Sequence, residues 1–205
     1  VMNLLDLMIT QSDNTATNML IRLVGRRNIN RTMATLGLTK THLGDDIRTA
    51  SASEIRSLRT SPHDMMSLLY RIAREDVVDA WSCREMIAIL SGQQHNTLLP
   101  EPLPQGLQIA HKTGELSDTL NDVGIVYLDR EPYIIAVMTT DLPDLDVGRR
   151  LIRNVSRMAY DAFNRFADWR EAASGLPSTA SAPETQPRHA EAAPASSSGG
   201  LDWEK

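Results

Sequence analysis

The sequence predicts an α/β fold of the α+β kind, in which a helical first half packs beside a small antiparallel sheet covered by a closing helix. Three observations predict it. Apolar residues recur at helical spacing from residue 1 to about 95, and after Pro100, Pro102 and Pro104 the pattern changes to short β-branched runs. A last amphipathic stretch then places Leu151, Val155, Met158, Ala159, Ala162 and Phe163 where one helix could cover the sheet.

Each element follows from local signals. Asn3-Leu4-Leu5-Asp6-Leu7-Met8-Ile9 reads as a helix. After Ser12, at a helix entrance, Ala16, Met19, Leu20, Leu23 and Val24 form a stripe that Gly25 stops. Ile29, Met33 and Leu36 make a third helix ending near Gly37, and Thr39 to Arg59 reads as a long loop or broken helix. Ser61-Pro62-His63-Asp64 supplies a cap, a proline at the first helical position and a carboxylate in the first turn. Met65, Met66, Leu68, Leu69 and Ile72 follow as the buried face, and another helix is expected from about Ala80 to Leu90. Strands are expected over Leu107-Gln108-Ile109-Ala110, Val123 to Leu128, and Tyr133 to Met138. The turn Asp129-Arg130-Glu131-Pro132 pairs the last two as an antiparallel hairpin. These elements predict one main domain over 1–170, helical over 1–95 with sheet and closing helix over 105–165. Residues 171–205 are rich in Ala, Ser, Pro and Gly and read as a disordered tail.

Composition narrows the chemistry. With 41 % apolar and 23 % charged residues in 205, the chain can bury one substantial core. A formal charge of -5 with both signs scattered offers no basic stripe for nucleic acid and no polybasic helix for a membrane surface, so a small-molecule substrate is expected. Cys83 is alone and shares a helix face with Met86, Ile87 and Leu90, which makes it a packing residue. His42, His63, His95, His111 and His189 lack ligand spacing, so no metal is expected. His111 precedes Lys112 on a strand, points to the opposite face and reads as packing or support. The chain opens at Val1 directly on a helix-like segment, which suggests a fragment.

Two tripeptides carry the functional signal: Ser12-Asp13-Asn14 and Lys112-Thr113-Gly114. Alone, the first reads as a helix cap and the second as a strand ending in a turn. Together they offer most of what amide cleavage through an acyl-enzyme needs: a short hydroxyl at Ser12, a cation at Lys112 and an amide at Asn14. The chain resembles the class A β-lactamase family and the wider β-lactamase-like, penicillin-recognising serine hydrolases. The resemblance runs from residue 1 to about Phe163, through Leu4 to Asn18, Leu36-Gly37-Leu38, Thr60-Ser61-Pro62, Leu103-Pro104, Ala110-His111-Lys112-Thr113-Gly114 and Asn121-Asp122-Val123.

The resemblance implies a β-lactamase/transpeptidase-like fold and hydrolysis of a β-lactam amide through an acyl-serine, with no cofactor. It also implies an extracytoplasmic location and a monomer. Ser12 would pass a proton to the lactam nitrogen, and Asn14 would bind the substrate's side-chain amide. Lys112 would place a positive charge by the substrate carboxylate and the proton relay, and Thr113 would hydrogen-bond that carboxylate. Gly114 would allow close approach, and the backbone N–H of Glu115 would be an oxyanion donor.

Three departures qualify this. The nucleophile's Ser-x-x-Lys motif is missing: the lysines Lys40, Lys112 and Lys205 follow Gly37, Ile109 and Asp202 at that spacing, so the chain is expected to be inactive alone. No Glu-x-x-Leu-Asn segment lies between Leu38 and Ser61, where Glu54 is the one glutamate and reads as a solvated loop charge. Glu115 stands where a small or hydroxylic residue is usual, and its carboxylate would repel an anionic substrate. A same-fold esterase, peptidase or penicillin-binding protein with slow deacylation is the alternative enzyme, and a non-catalytic cell-wall-ligand sensor the alternative from another class.

Overall fold

A computed structural model describes residues 1–44 and 58–174. Helices α1 (Met2–Thr10), α2 (Asn14–Val24) and α3 (Arg26–Thr35) are followed by α4 (Pro62–Ala73) and α5 (Ala80–Ser91). Strands β1 (Ile109–Glu115), β2 (Leu120–Val126) and β3 (Tyr133–Met138) then form an antiparallel sheet in that order, and α6 (Leu145–Ser174) closes the described fold.

Local chemistry sets the helix ends. Ser61 accepts a hydrogen bond from the Asp64 N–H at 3.2 Å and Pro62 opens α4, as the cap signal predicts. Asp79 does the same for α5 by accepting from the Ser82 N–H at 2.7 Å. At the end of α2, Gly25 takes φ of 83°, a conformation that favours glycine. Asp64, buried at the start of α4, accepts from the Lys40 N–H and the Thr41 hydroxyl, both at 2.8 Å, and so lashes the segment after α3 to this helix.

Register divides the sheet into two faces. Ile109, Leu120, Val126, Tyr133 and Ile135 point one way and pack with Leu98, Leu99, Leu103 and Ile152 in a core that Val155, Ala159 and Tyr160 of α6 cover. Phe163 stacks on Tyr133 with ring centroids 4.4 Å apart and pins α6 to β3. Ala110 and Ile125 point the other way and pack with Leu69 of α4, Leu90 of α5 and Ile9 of α1. The fold is therefore helices, sheet and closing helix in layers. Lys112, paired with Val123, belongs to the face that looks toward the helical half.

Several sequence expectations are corrected. The first strand begins at Ile109 rather than Leu107 and, beyond the His111 and Lys112 already read as strand, runs on to Glu115, while the second spans Leu120–Val126 rather than Val123 to Leu128. Pairing to β2 keeps the tripeptide extended, overriding the turn reading of Gly114. On α2 the buried positions are Ala16, Asn18 and Leu20, while Met19, Leu23 and Val24 are exposed. On α6 the inward positions are Ile152, Val155, Ser156 and Ala159, and Leu151 and Met158 face outward. A stripe drawn from apolar residues alone missed Ser156, whose hydroxyl is buried because it donates to the Leu99 carbonyl at 2.7 Å. The 171–205 tail reading falls almost wholly, from 175 on, outside the described residues.

Gly124 sits on the central strand opposite His111, and a Cβ there would lie 2.6 Å from His111 Cβ and 2.9 Å from the Ala110 carbonyl oxygen. The second contact is with backbone, which cannot rotate aside. Gly124→Ala should therefore destabilise the fold by about 1–3 kcal/mol, read as a lower midpoint in urea unfolding.

Candidate active site

The turn between α1 and α2 presents Ser12. Helix α1 ends as the Gln11 and Asp13 N–H groups both donate to the Leu7 carbonyl, at 3.2 and 3.1 Å. Ser12 adopts φ of 53°, the left-handed region, at a cost of about 1–3 kcal/mol for a residue with a Cβ. Asp13 caps α2, accepting from the Ala16 N–H at 2.6 Å. Ser12 thus precedes the cap rather than serving as it, and its hydroxyl is left for another partner. Asn14, the first residue of α2, is exposed beside it.

That partner is Lys112. Its Nζ donates to Ser12 Oγ and, at 2.7 Å, to the Thr113 carbonyl. The contact joins residues 100 positions apart and closes the helical half onto the sheet. Burial pushes the Lys112 ammonium below the usual lysine range, and the negative charge of Asp122 opposes that only in part. A cation that gives up its proton more readily, touching a serine hydroxyl, can accept, hold and return a proton through that hydroxyl.

The edge of β1 adds donors. The Leu116 N–H bonds to the Thr119 carbonyl and the Tyr127 N–H to the Gln108 carbonyl, which fixes the parity of the β1–β2 ladder. Residues 110, 112, 114 and 116 then exchange bonds with β2, while Thr113 and Glu115 turn their backbone groups off the free edge. The Thr113 carbonyl takes the lysine, and the Glu115 N–H points outward from the sheet edge. Thr113 and Gly114 are half-buried beside it.

Arg149 of α6, which sequence reasoning missed, stands 3.6 Å from the Glu115 carboxylate and 2.8 Å from Asp146. The Glu115 charge is thereby answered from a helix, which weakens its repulsion of an anionic ligand. Only the tertiary approach of α6 to β1 reveals the pairing.

Beneath the edge, on the opposite face from Lys112, His111 and Asp122 are both buried. His111 Nδ1 lies 2.9 Å from Asp122 Oδ1 and Nε2 lies 3.0 Å from Asn96 Oδ1. The other Asp122 oxygen accepts from the Leu99 N–H at 3.0 Å. The supporting role expected of His111 thus acquires named partners. Glu54 lies outside the described residues. Among the described residues, no cluster of three or more His, Cys, Asp or Glu side chains could hold a metal, and no helix is long and apolar enough to cross a membrane. A separate groove of about 590 Å³, lined by Met66, Tyr70, Tyr133, Phe163 and Phe166 among others, includes none of the tripeptide residues.

A serine–lysine contact between a helix-entry turn and a strand edge is the geometry that the two tripeptides anticipate. The family profile described as "Beta-lactamase enzyme family" matches residues 1–163. The chain belongs to the beta-lactamase enzyme family.

Solved structures agree. PBP-A is similar at 34 % identity and a TM-score of 0.71 over 78 % of this chain and 60 % of its own, and a mutant of it is described as an acyl-enzyme complex with penicillin G. A beta-lactamase from Sphaerobacter thermophilus is similar at 30 % identity and a TM-score of 0.72, over 85 % of this chain and 64 % of its own. A class A beta-lactamase representative from Bacteroides cellulosilyticus, 24 % identical, shares the fold with a TM-score of 0.75 over 80 % of this chain and 64 % of its own. The chain thus spans about 60 % of the length of PBP-A. A search of curated proteins finds no match.

The Lys112–Ser12 contact is easy to watch, since the chain has only three lysines, Lys40, Lys112 and Lys205. In a 13Cε NMR titration the Lys112 resonance should change below the usual lysine range, because burial disfavours its charged form. Lys112 titrating within the usual lysine range would contradict the buried contact.

Proposed function

We propose that this chain carries the proton-relay and carboxylate-binding half of a β-lactamase-type serine hydrolase active site, borne by one domain over 1–170. The observation that carries the reading is the Lys112–Ser12 contact. The nucleophile would come from a Ser-x-x-Lys outside these 205 residues, since none lies within them.

In the reaction, the serine of that motif would give its hydroxyl proton to the motif's own lysine as its oxygen bonds to the lactam carbonyl carbon, while the Glu115 N–H donates to the developing oxyanion. The lactam C–N bond then breaks, and the nitrogen takes the proton that Ser12 delivers and Lys112 replenishes. Lys112, Thr113 and the cleft-facing edge at Gly114 bind the substrate carboxylate, and Asn14 binds its side-chain amide. Water hydrolyses the serine ester to complete the cycle, and no cofactor enters it. An extracytoplasmic monomer fits the family.

A second reading has its own support. The sequence between Leu38 and Ser61 has no Glu-x-x-Leu-Asn segment to activate the deacylating water, and the relative at 34 % identity was captured in mutant form as a penicillin G acyl-enzyme. Slow deacylation would make the protein penicillin-binding rather than penicillin-destroying.

The isolated 205 residues should show no nitrocefin burst and no acyl adduct by mass spectrometry. A polypeptide extended upstream of Val1 to include a Ser-x-x-Lys should acylate, and Ser12→Ala in it should slow acylation by about 100-fold or more. Rapid turnover supports the β-lactamase, a stable adduct supports the penicillin-binding protein, and neither supports a non-catalytic ligand sensor. A burst from the isolated chain would overturn the assignment of the nucleophile.

A further inference from the structure

The buried histidine beneath the site has an acceptor at each ring nitrogen. Asp122 Oδ1 faces Nδ1 at 2.9 Å and Asn96 Oδ1 faces Nε2 at 3.0 Å. The orientation of the Asn96 amide is fixed independently, because its Nδ2 donates to the Gln93 carbonyl at 3.1 Å and so turns its oxygen toward the imidazole. Asp122 is held as an acceptor on its other side as well, by the Leu99 N–H. A neutral imidazole would set one lone pair against an oxygen in a site where His111 is 1 % and Asp122 0 % exposed.

We infer that His111 stands as an imidazolium paired with Asp122, and that this pair is a positioning unit holding Lys112 of β1 against Ser12 by way of the turn after α5. The connection is continuous. From His111 it passes to Asn96 and then to Gln93, whose side-chain Nε2 donates to the Ile9 carbonyl at 2.8 Å. The neighbouring Gln94 N–H donates to the Thr10 carbonyl at 3.1 Å, and His95 Nε2 lies 3.3 Å from the Gln11 carbonyl. These three carbonyls are the last ones before Ser12. The turn thus grips both the strand that carries the ammonium and the helix end that presents the hydroxyl.

Electrostatics and space allow the charge. The ring's positive charge is compensated at contact distance by Asp122, so the buried pair is close to neutral as a unit. Gly124, lacking a side chain, leaves the room that the His111 Cβ occupies. The inference rests on the proposed function only in giving Lys112 its task; the protonation and the tie are properties of the chain alone.

The test is NMR on the 205-residue chain. Long-range 1H–15N correlation at neutral pH should show both His111 nitrogens protonated, and Asp122→Asn should convert the ring to the neutral Nε2–H tautomer, its amide donating to Nδ1. A wild-type ring with one bare nitrogen overturns the imidazolium. For the positioning role, Asn96 is exposed, so replacing it empties no core. Asn96→Ala should move the Lys112 13Cε titration upward, toward the usual lysine range, and Asn96→Gln, which keeps both an acceptor for Nε2 and a donor for the Gln93 carbonyl, should recover part of that shift. An unmoved Lys112 in Asn96→Ala, or no recovery with Gln, overturns the positioning role. Acyl-adduct formation by the extended polypeptide is a separate readout, so failure of the β-lactam reading would not be mistaken for failure of this one.

Discussion

The contact between the Lys112 ammonium and the Ser12 hydroxyl is the constraint on which the rest of this structure turns. It is the meeting point of two halves with different grammars, one helical and one extended, and each half places its group by ordinary local rules. The α1–α2 turn frees Ser12 by letting Asp13 cap the helix. Strand alternation sends Lys112 to the face that looks at the helices and His111 to the other. The half-buried position of the lysine costs solvation, and the same burial gives the site an ammonium that releases its proton more easily.

Support for that contact comes from both sides of the sheet. The closing helix α6 anchors β3 through the Phe163–Tyr133 stack and brings Arg149 to Glu115 at the strand end. The turn after α5 grips α1 through Gln93 and Gln94 and meets β1 through Asn96. A polar network of this kind stabilises a unique arrangement only when its members are satisfied, and His111, Asp122, Asn96 and Gln93 each have partners.

Much of the fold was legible in the sequence because it is governed by local chemistry. The cap and proline at Ser61-Pro62, the stop at Gly25, the span Tyr133–Met138 and the buried thiol of Cys83 were all readable from neighbours in the chain. The reach of β1 was not. Local signals carry it to Lys112 and turn it at Gly114, whereas seven paired residues of β2 keep it extended to Glu115. Similarly, the inward face of α6 was misdrawn because a buried hydroxyl, Ser156, is indistinguishable from a solvated one without its acceptor.

For the site, order and spacing identified the tripeptides, but geometry supplied their meaning. The sequence could place His111 opposite Lys112; it could not supply Asp122 and Asn96, which lie 11 and 15 residues away and meet the ring only through tertiary packing. The central claim is that Ser12 and Lys112 are energetically coupled across the two halves, and a double-mutant cycle in urea unfolding tests it most directly. With Ser12→Ala, Lys112→Met and the double variant, the account predicts a coupling of about 1–3 kcal/mol. Additive effects, with no coupling beyond measurement error, would contradict it.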